Sequence, residues 1–172
     1  MNPQQLLDYI IKPTHEYMGG NYASKSANFL SLCTAAIESN CGEYIKQING
    51  PALGVWQIEP DTHDDIWYNC DALSSYVDEK PSHLVDFMIC VSNTGEPSHS
   101  NLITSPMYAC AMARLKYSMD PHQLPKYTGN PEIDLPVYFD YYKRVYNTEL
   151  GASTYQKWCN AIAANHILKV KL

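Results

Sequence analysis

Apolar residues recur at the helical period over most of this chain, and one stretch carries the pattern most strongly. Phe29, Leu32, Cys33, Ala36 and Ile37 fall at i, i+3, i+4, i+7 and i+8, which places them on one stripe of a helix from about Ser24 to Ser39. Such a stripe must be buried against other elements, so the chain is committed to a packed helical core. The same period predicts helices near Leu6 to Ile11, closed by Pro13, and near His63 to Val77, on Ile66, Cys70, Leu73 and Val77. Thr62, followed three residues on by Asp65, has the form of a capping box for the second of these. Further helices are expected at Leu84 to Val91, at Pro106 to Tyr117 with Ser105 as cap, and at Leu135 to Tyr146. The last is expected from Ser153 to Leu168, with Tyr155, Trp158, Cys159, Ile162 and Ala163 inward.

One interval interrupts the pattern. In Asn49 to Ile58 turn residues precede a short run of β-formers, which reads as a strand or hairpin. Ser92 to Asn101 and Met119 to Pro131 are rich in Ser, Asn, Gly and Pro and read as loops rather than domain linkers. With no internal repeat, the expected architecture is a single, mainly α domain over residues 1–172, with a small β-hairpin after the helix that ends at Glu38.

Composition narrows the function classes. A chain of 172 residues with 45% hydrophobic and 17% charged residues can bury an ordered core without a metal or disulfide staple. Its net charge of −6 offers no cationic surface for phosphates or anionic lipid, so neither nucleic acid nor a stable membrane association is expected. Apolar runs such as Tyr108 to Ala113 fall far short of the ~20 residues of a bilayer span. Asn2, Pro3, Gln4 and Gln5 interrupt any signal-peptide pattern. The six cysteines (Cys33, Cys41, Cys70, Cys90, Cys110 and Cys159) stand singly and read as mostly buried thiols. Without CxxC or HxxxH spacing, neither metal nor other cofactor is expected.

Glu38 is the residue with chemistry to offer. It ends a helix whose preceding residues, Leu32-Cys33-Thr34-Ala35-Ala36-Ile37, are apolar or small. Burial disfavours the ionised carboxylate, and the negative end of the helix dipole acts in the same direction, so its pKa should rise toward that of a general acid at neutral pH. The alternative is an ordinary helix-end acid facing water.

After Glu38-Ser39 comes Gly54-Val55-Trp56-Gln57-Ile58-Glu59-Pro60-Asp61-Thr62. Here the chain resembles the lysozyme-like superfamily, in particular the soluble lytic transglycosylase and goose-type lysozyme group, which includes phage enzymes. That group has a Glu-Ser pair closing a buried helix and, after a small-residue turn, a Gly, two hydrophobic residues, Gln, Ile, any residue, Pro, any residue and Thr. Trp56 stands where a methionine is usual. Met107-Tyr108-Ala109 and Tyr146-Asn147 are similar to two later motifs, although Thr148-Glu149 replaces an Ala-Gly and Tyr141 or Tyr142 could fill the same place.

The resemblance implies an α+β lysozyme-like fold, Glu38 as catalytic acid, Gln57 as a cleft residue holding the sugar, and Ser39 as the serine that orients the glutamate or an N-acetyl group. It implies cleavage of peptidoglycan glycan strands between N-acetylmuramic acid and N-acetylglucosamine, by a monomeric enzyme without a cofactor. If Glu38 serves first as acid and then as base on the sugar's own 6-hydroxyl, the product carries a 1,6-anhydro end. Inverting hydrolysis instead needs a second carboxylate at roughly 6.5–9.5 Å. Asp61, Asp64 and Asp65 are nearest after the turn, with Glu43 and Glu59 as further options, and all five have ordinary solvated readings.

Fourteen tyrosines against three phenylalanines suit a saccharide groove, because a phenol ring stacks on a sugar face while its hydroxyl reaches the sugar's edge. Trp56, Tyr108, Tyr142 and Tyr146 are the candidate substrate-binding aromatics, with Tyr138 and Tyr141 behind them. His63 reads as part of a solvated helix start, and Cys41, near Glu38 and Glu43, as a thiol whose pKa neighbouring acids raise. The competing readings are a chitinase and a non-catalytic saccharide-binding or structural virion protein. A wall-degrading enzyme lacking a signal peptide is expected either in a host cytoplasm, reaching the periplasm or cell wall on release, or in a phage virion.

Overall fold

A computed structural model describes residues 1–77, 82–147 and 151–172. It is mainly helical, and no strand is formed among the described residues. In chain order the α-helices are α1 (Pro3–Leu6), α2 (Lys12–Met18), α3 (Lys25–Ser39), α4 (Pro60–Asn69), α5 (Ser74–Val77), α6 (His83–Val91), α7 (Asn101–Thr104), α8 (Pro106–Ser118), α9 (Pro131–Tyr142) and α10 (Tyr155–Ala164). None of them is long and apolar enough to cross a membrane.

The two central helices begin where their caps lie in the sequence. Ser24 Oγ accepts the Ala27 N–H at 3.1 Å to start α3, and Ser105 Oγ accepts that of Tyr108 at 3.3 Å to start α8. Helix α8 is buried around its whole circumference from Tyr108 to Leu115. It packs against α2, α3, α4, α6 and α7, and is the axis of the fold. Helix α3 lies between α8 and α10 and buries Phe29, Leu30, Leu32, Cys33, Ala35 and Ala36. Cys33, Cys41, Cys70 and Cys110 are buried free thiols.

Several boundaries differ from those the periodicity predicts. The N-terminal helix does not close at Pro13: a π-helical turn over Leu7–Ile11, in which Lys12 N–H donates to Leu7 O, leads directly into α2. The wider turn lets the helical path pass a residue that has no N–H. The expected helix from His63 to Val77 breaks at Cys70, whose ψ of 116° is extended, and resumes as a 3₁₀ turn over Asp71–Leu73 followed by α5. Its start is at Pro60, with Glu59 as an N-cap that makes no side-chain bond, so Thr62 and Asp65 form no capping box. Helix α9 starts at Pro131, four residues before Leu135, because Asn130 caps it. In α10, Trp158 and Ile162 are buried, whereas Tyr155 and Ala163 face outward.

The predicted hairpin at 49–58 is replaced by two isolated antiparallel bridges, Lys46 with Leu53 and Leu53 with Ile58. Left-handed backbone at Asn49 (φ 60°), Gly54 (φ 76°) and Gln57 (φ 47°) turns the chain too often for a ladder to propagate. Gly54 is required here on two counts. Its φ is positive, and a Cβ would lie 2.1 Å from Leu102 O, at the point where this turn presses on α7.

Candidate active site

Glu38 sits in the last turn of α3, partly buried, on the wall of a cavity of about 550 Å³. Gln57, Glu59, Lys116, Tyr146 and Ser153 share that wall. Burial raises the Glu38 pKa to about 7, against two opposing influences, the Tyr142 hydroxyl and the charge of Lys116. Tyr142 O–H donates to Glu38 Oε1 at 2.6 Å, and its oxygen is 3.1 Å from Ser153 Oγ, so one carboxyl oxygen is fixed by a short polar chain. Helix α9 supplies Tyr142 and the segment before α10 supplies Ser153, so the acid at the end of α3 is aligned from two other elements.

Lys116 places a cation on the cavity wall. Its Nζ donates to Tyr146 O at 3.0 Å and lies 4.5 Å from the centre of the Tyr146 ring. Burial lowers its pKa, while Glu38 and Glu59 act to raise it, so this ammonium is coupled to both carboxyls on the cavity wall. Tyr146 donates its own hydroxyl to Trp56 O at 2.8 Å. The π-helical turn over Lys143–Asn147 that carries Tyr146 is thereby tied to the turn before α4.

The residues expected at the site separate into two groups. Glu38, Gln57, Tyr142 and Tyr146 come together, with Gln57 Nε2 donating to Gly54 O at 2.7 Å and to Tyr44 O at 3.3 Å. Ser39, Trp56 and Tyr108 do not line the cavity. Ser39 is buried, donates to Val55 O at 2.5 Å and accepts from Gly42 N at 2.8 Å, so it staples the end of α3 to the following turn instead of orienting Glu38. Trp56 is fully buried, with its indole N–H on Ser31 O at 2.9 Å. Tyr108 is also fully buried, where its hydroxyl meets Trp67 Nε1 at 2.8 Å and His63 Nε2 at 2.7 Å. Tyr138 and Tyr141 are core residues as well.

Two further expectations change. His63 is buried rather than solvated, because α4 turns it inward against Tyr108. The Cys41 thiol is pushed up to about 11, and the cause is burial rather than nearby acids. Of the candidate second carboxylates, Glu59 lines the cavity; Glu43, Asp61, Asp64 and Asp65 are exposed and do not line it, although the charge of Asp65 acts on Lys116. Thr148 and Glu149 of the third motif lie outside the described residues. Lys116 and Ser153, which were not among the expected site residues, also line the cavity, as does Asn147 of the Tyr146-Asn147 pair. Charge alone does not single out Lys116, because Arg114, two residues earlier in α8, is charged and buried.

A carboxyl with a pKa of about 7, a partly buried ammonium and several hydroxyl and amide groups around a polar cavity can donate a proton to a bound polyhydroxylated ligand and hold its substituents. Comparisons with protein-family models, with curated proteins and with solved structures give no significant match to this chain.

Proposed function

We propose that this chain has a lysozyme-like arrangement and cleaves peptidoglycan glycan strands between N-acetylmuramic acid and N-acetylglucosamine, with Glu38 as general acid. The observation that carries the reading is a carboxyl whose pKa is raised to about 7, so that about half of it keeps its proton at neutral pH, on the wall of a polar cavity large enough for saccharide units. Glu38 gives its proton to the glycosidic oxygen as the bond to the anomeric carbon breaks and oxocarbenium character develops there. The resulting carboxylate then takes the proton of the sugar's 6-hydroxyl as that oxygen closes on the anomeric carbon. Tyr142, donating to Oε1, stabilises Glu38 in the ionised stage between the two transfers.

Glu59 on the same wall supports a second reading, inverting hydrolysis, in which it holds a water on the opposite face of the sugar. Digestion of purified sacculi followed by mass spectrometry of the muropeptides separates the two. Transglycosylation leaves 1,6-anhydro ends, and hydrolysis leaves reducing ends heavier by one water. Glu38→Gln is expected to lower turnover by about 10²–10⁴-fold. Unchanged turnover in this variant, or cleavage of chito-oligosaccharides in place of sacculi, refutes the proposal. Binding of sacculi without release of any product favours a saccharide-binding protein.

A further inference from the structure

The loop at 92–100 brings His99 onto α4, 35 residues from Asp64, and creates a cluster that no local spacing announces. His63 Nδ1 lies 2.9 Å and His99 Nε2 2.8 Å from the same oxygen, Asp64 Oδ1. Ligand atoms of all three residues fall within 4.8 Å of one another. The two imidazoles meet edge to face at 87°, so both nitrogens reach one oxygen without stacking. None of the three lines the cavity of Glu38; Asp64 opens instead on a separate cavity of about 180 Å³ that also includes Glu96.

We propose that His63, Asp64 and His99 form a binding site for one divalent transition-metal ion of the zinc type. Two imidazole nitrogens, borderline donors, suit such an ion better than Mg²⁺ or Ca²⁺, the carboxylate adds charge, and three protein ligands leave a position for water. The outer nitrogen of His63 is held at 2.7 Å by the Tyr108 hydroxyl, which Trp67 Nε1 anchors in turn at 2.8 Å. A buried partner of this kind on the far nitrogen sets the ring angle of a metal-binding histidine. On metal binding the His63 proton moves from Nδ1 to Nε2, where the Tyr108 oxygen accepts it, and the His99 proton moves from Nε2 to Nδ1. Donor atoms around a tetrahedral ion are roughly 3.3 Å apart, so each histidine nitrogen moves off Asp64 Oδ1 by about half an ångström. His99 and Asp64 are 44% and 51% exposed and have room to make this adjustment. The bound ion would pin the 92–100 loop to α4.

Zn²⁺ titration of the EDTA-treated full chain by calorimetry, with Co²⁺ absorption as a second readout, tests the site. One equivalent is expected to bind, to raise the melting temperature and, for Co²⁺, to give the visible bands of a four- or five-coordinate ion. His99→Ala and Asp64→Asn change exposed side chains and are expected to lose that equivalent, whereas His122→Ala, at a separate surface histidine, is expected to keep it. No binding to the parent chain, or equal binding to His99→Ala and Asp64→Asn, overturns the proposal.

Discussion

Replacing Glu38 with glutamine tests the protonation of the acid without any knowledge of the substrate. The amide keeps the shape of the carboxyl, and its oxygen can still accept the Tyr142 O–H, but it does not titrate. Glu38 ionises near 4.5 in an unfolded chain and at about 7 in the fold. Below pH 4 both states are protonated, and the group gives no pH dependence. Between these values the unfolded chain releases the proton while the native state retains it, so stability falls as pH rises, and above about 7 the loss levels off. At about 1.36 kcal/mol per pH unit, the parent loses about 3 kcal/mol over this window that the glutamine variant keeps. Urea denaturation of both proteins from pH 4 to pH 9 measures the difference directly, since every other titrating group is common to the two. The variant is expected to gain steadily on the parent up to about pH 7 and then to hold a constant advantage. A difference that stays within about 0.5 kcal/mol throughout, the range of an ordinary surface change, would mean that Glu38 ionises normally in the fold and would remove the basis for a general acid.

Tyr142→Phe removes the donor that favours ionised Glu38. A hydrogen bond to a charged group contributes about 1.5–3 kcal/mol, so the Glu38 pKa is expected to move up by roughly one to two. Because the acid works in its protonated form, the basic limb of the pH–turnover profile should shift to higher pH, and a shift to lower pH contradicts this role. Trp56→Phe removes the indole bond to Ser31 O and leaves a void in the core, and is expected to cost about 3 kcal/mol in chemical denaturation, with the turnover of folded molecules nearly unchanged. Lost turnover at unchanged stability would instead assign Trp56 to the substrate groove.

What the sequence determined by itself was local. Ser24 and Ser105 cap α3 and α8 because capping depends on neighbours three residues away, and the desolvation of Glu38 follows from the apolar residues that precede it on its own helix. Tertiary structure decided which of two adjacent residues meets the cavity: left-handed backbone at Gly54 and Gln57 turns Trp56 into the core and leaves Gln57 on the wall. It also decided the company Glu38 keeps, since Tyr142, Lys116 and Ser153 all lie far from it in the chain. The meeting of His99 with Asp64 arises in the same way. Periodicity records which face of a helix avoids water, but not which other face it will meet. That choice belongs to close packing around α8, where the volume and hydrogen-bond demands of many distant side chains are satisfied together.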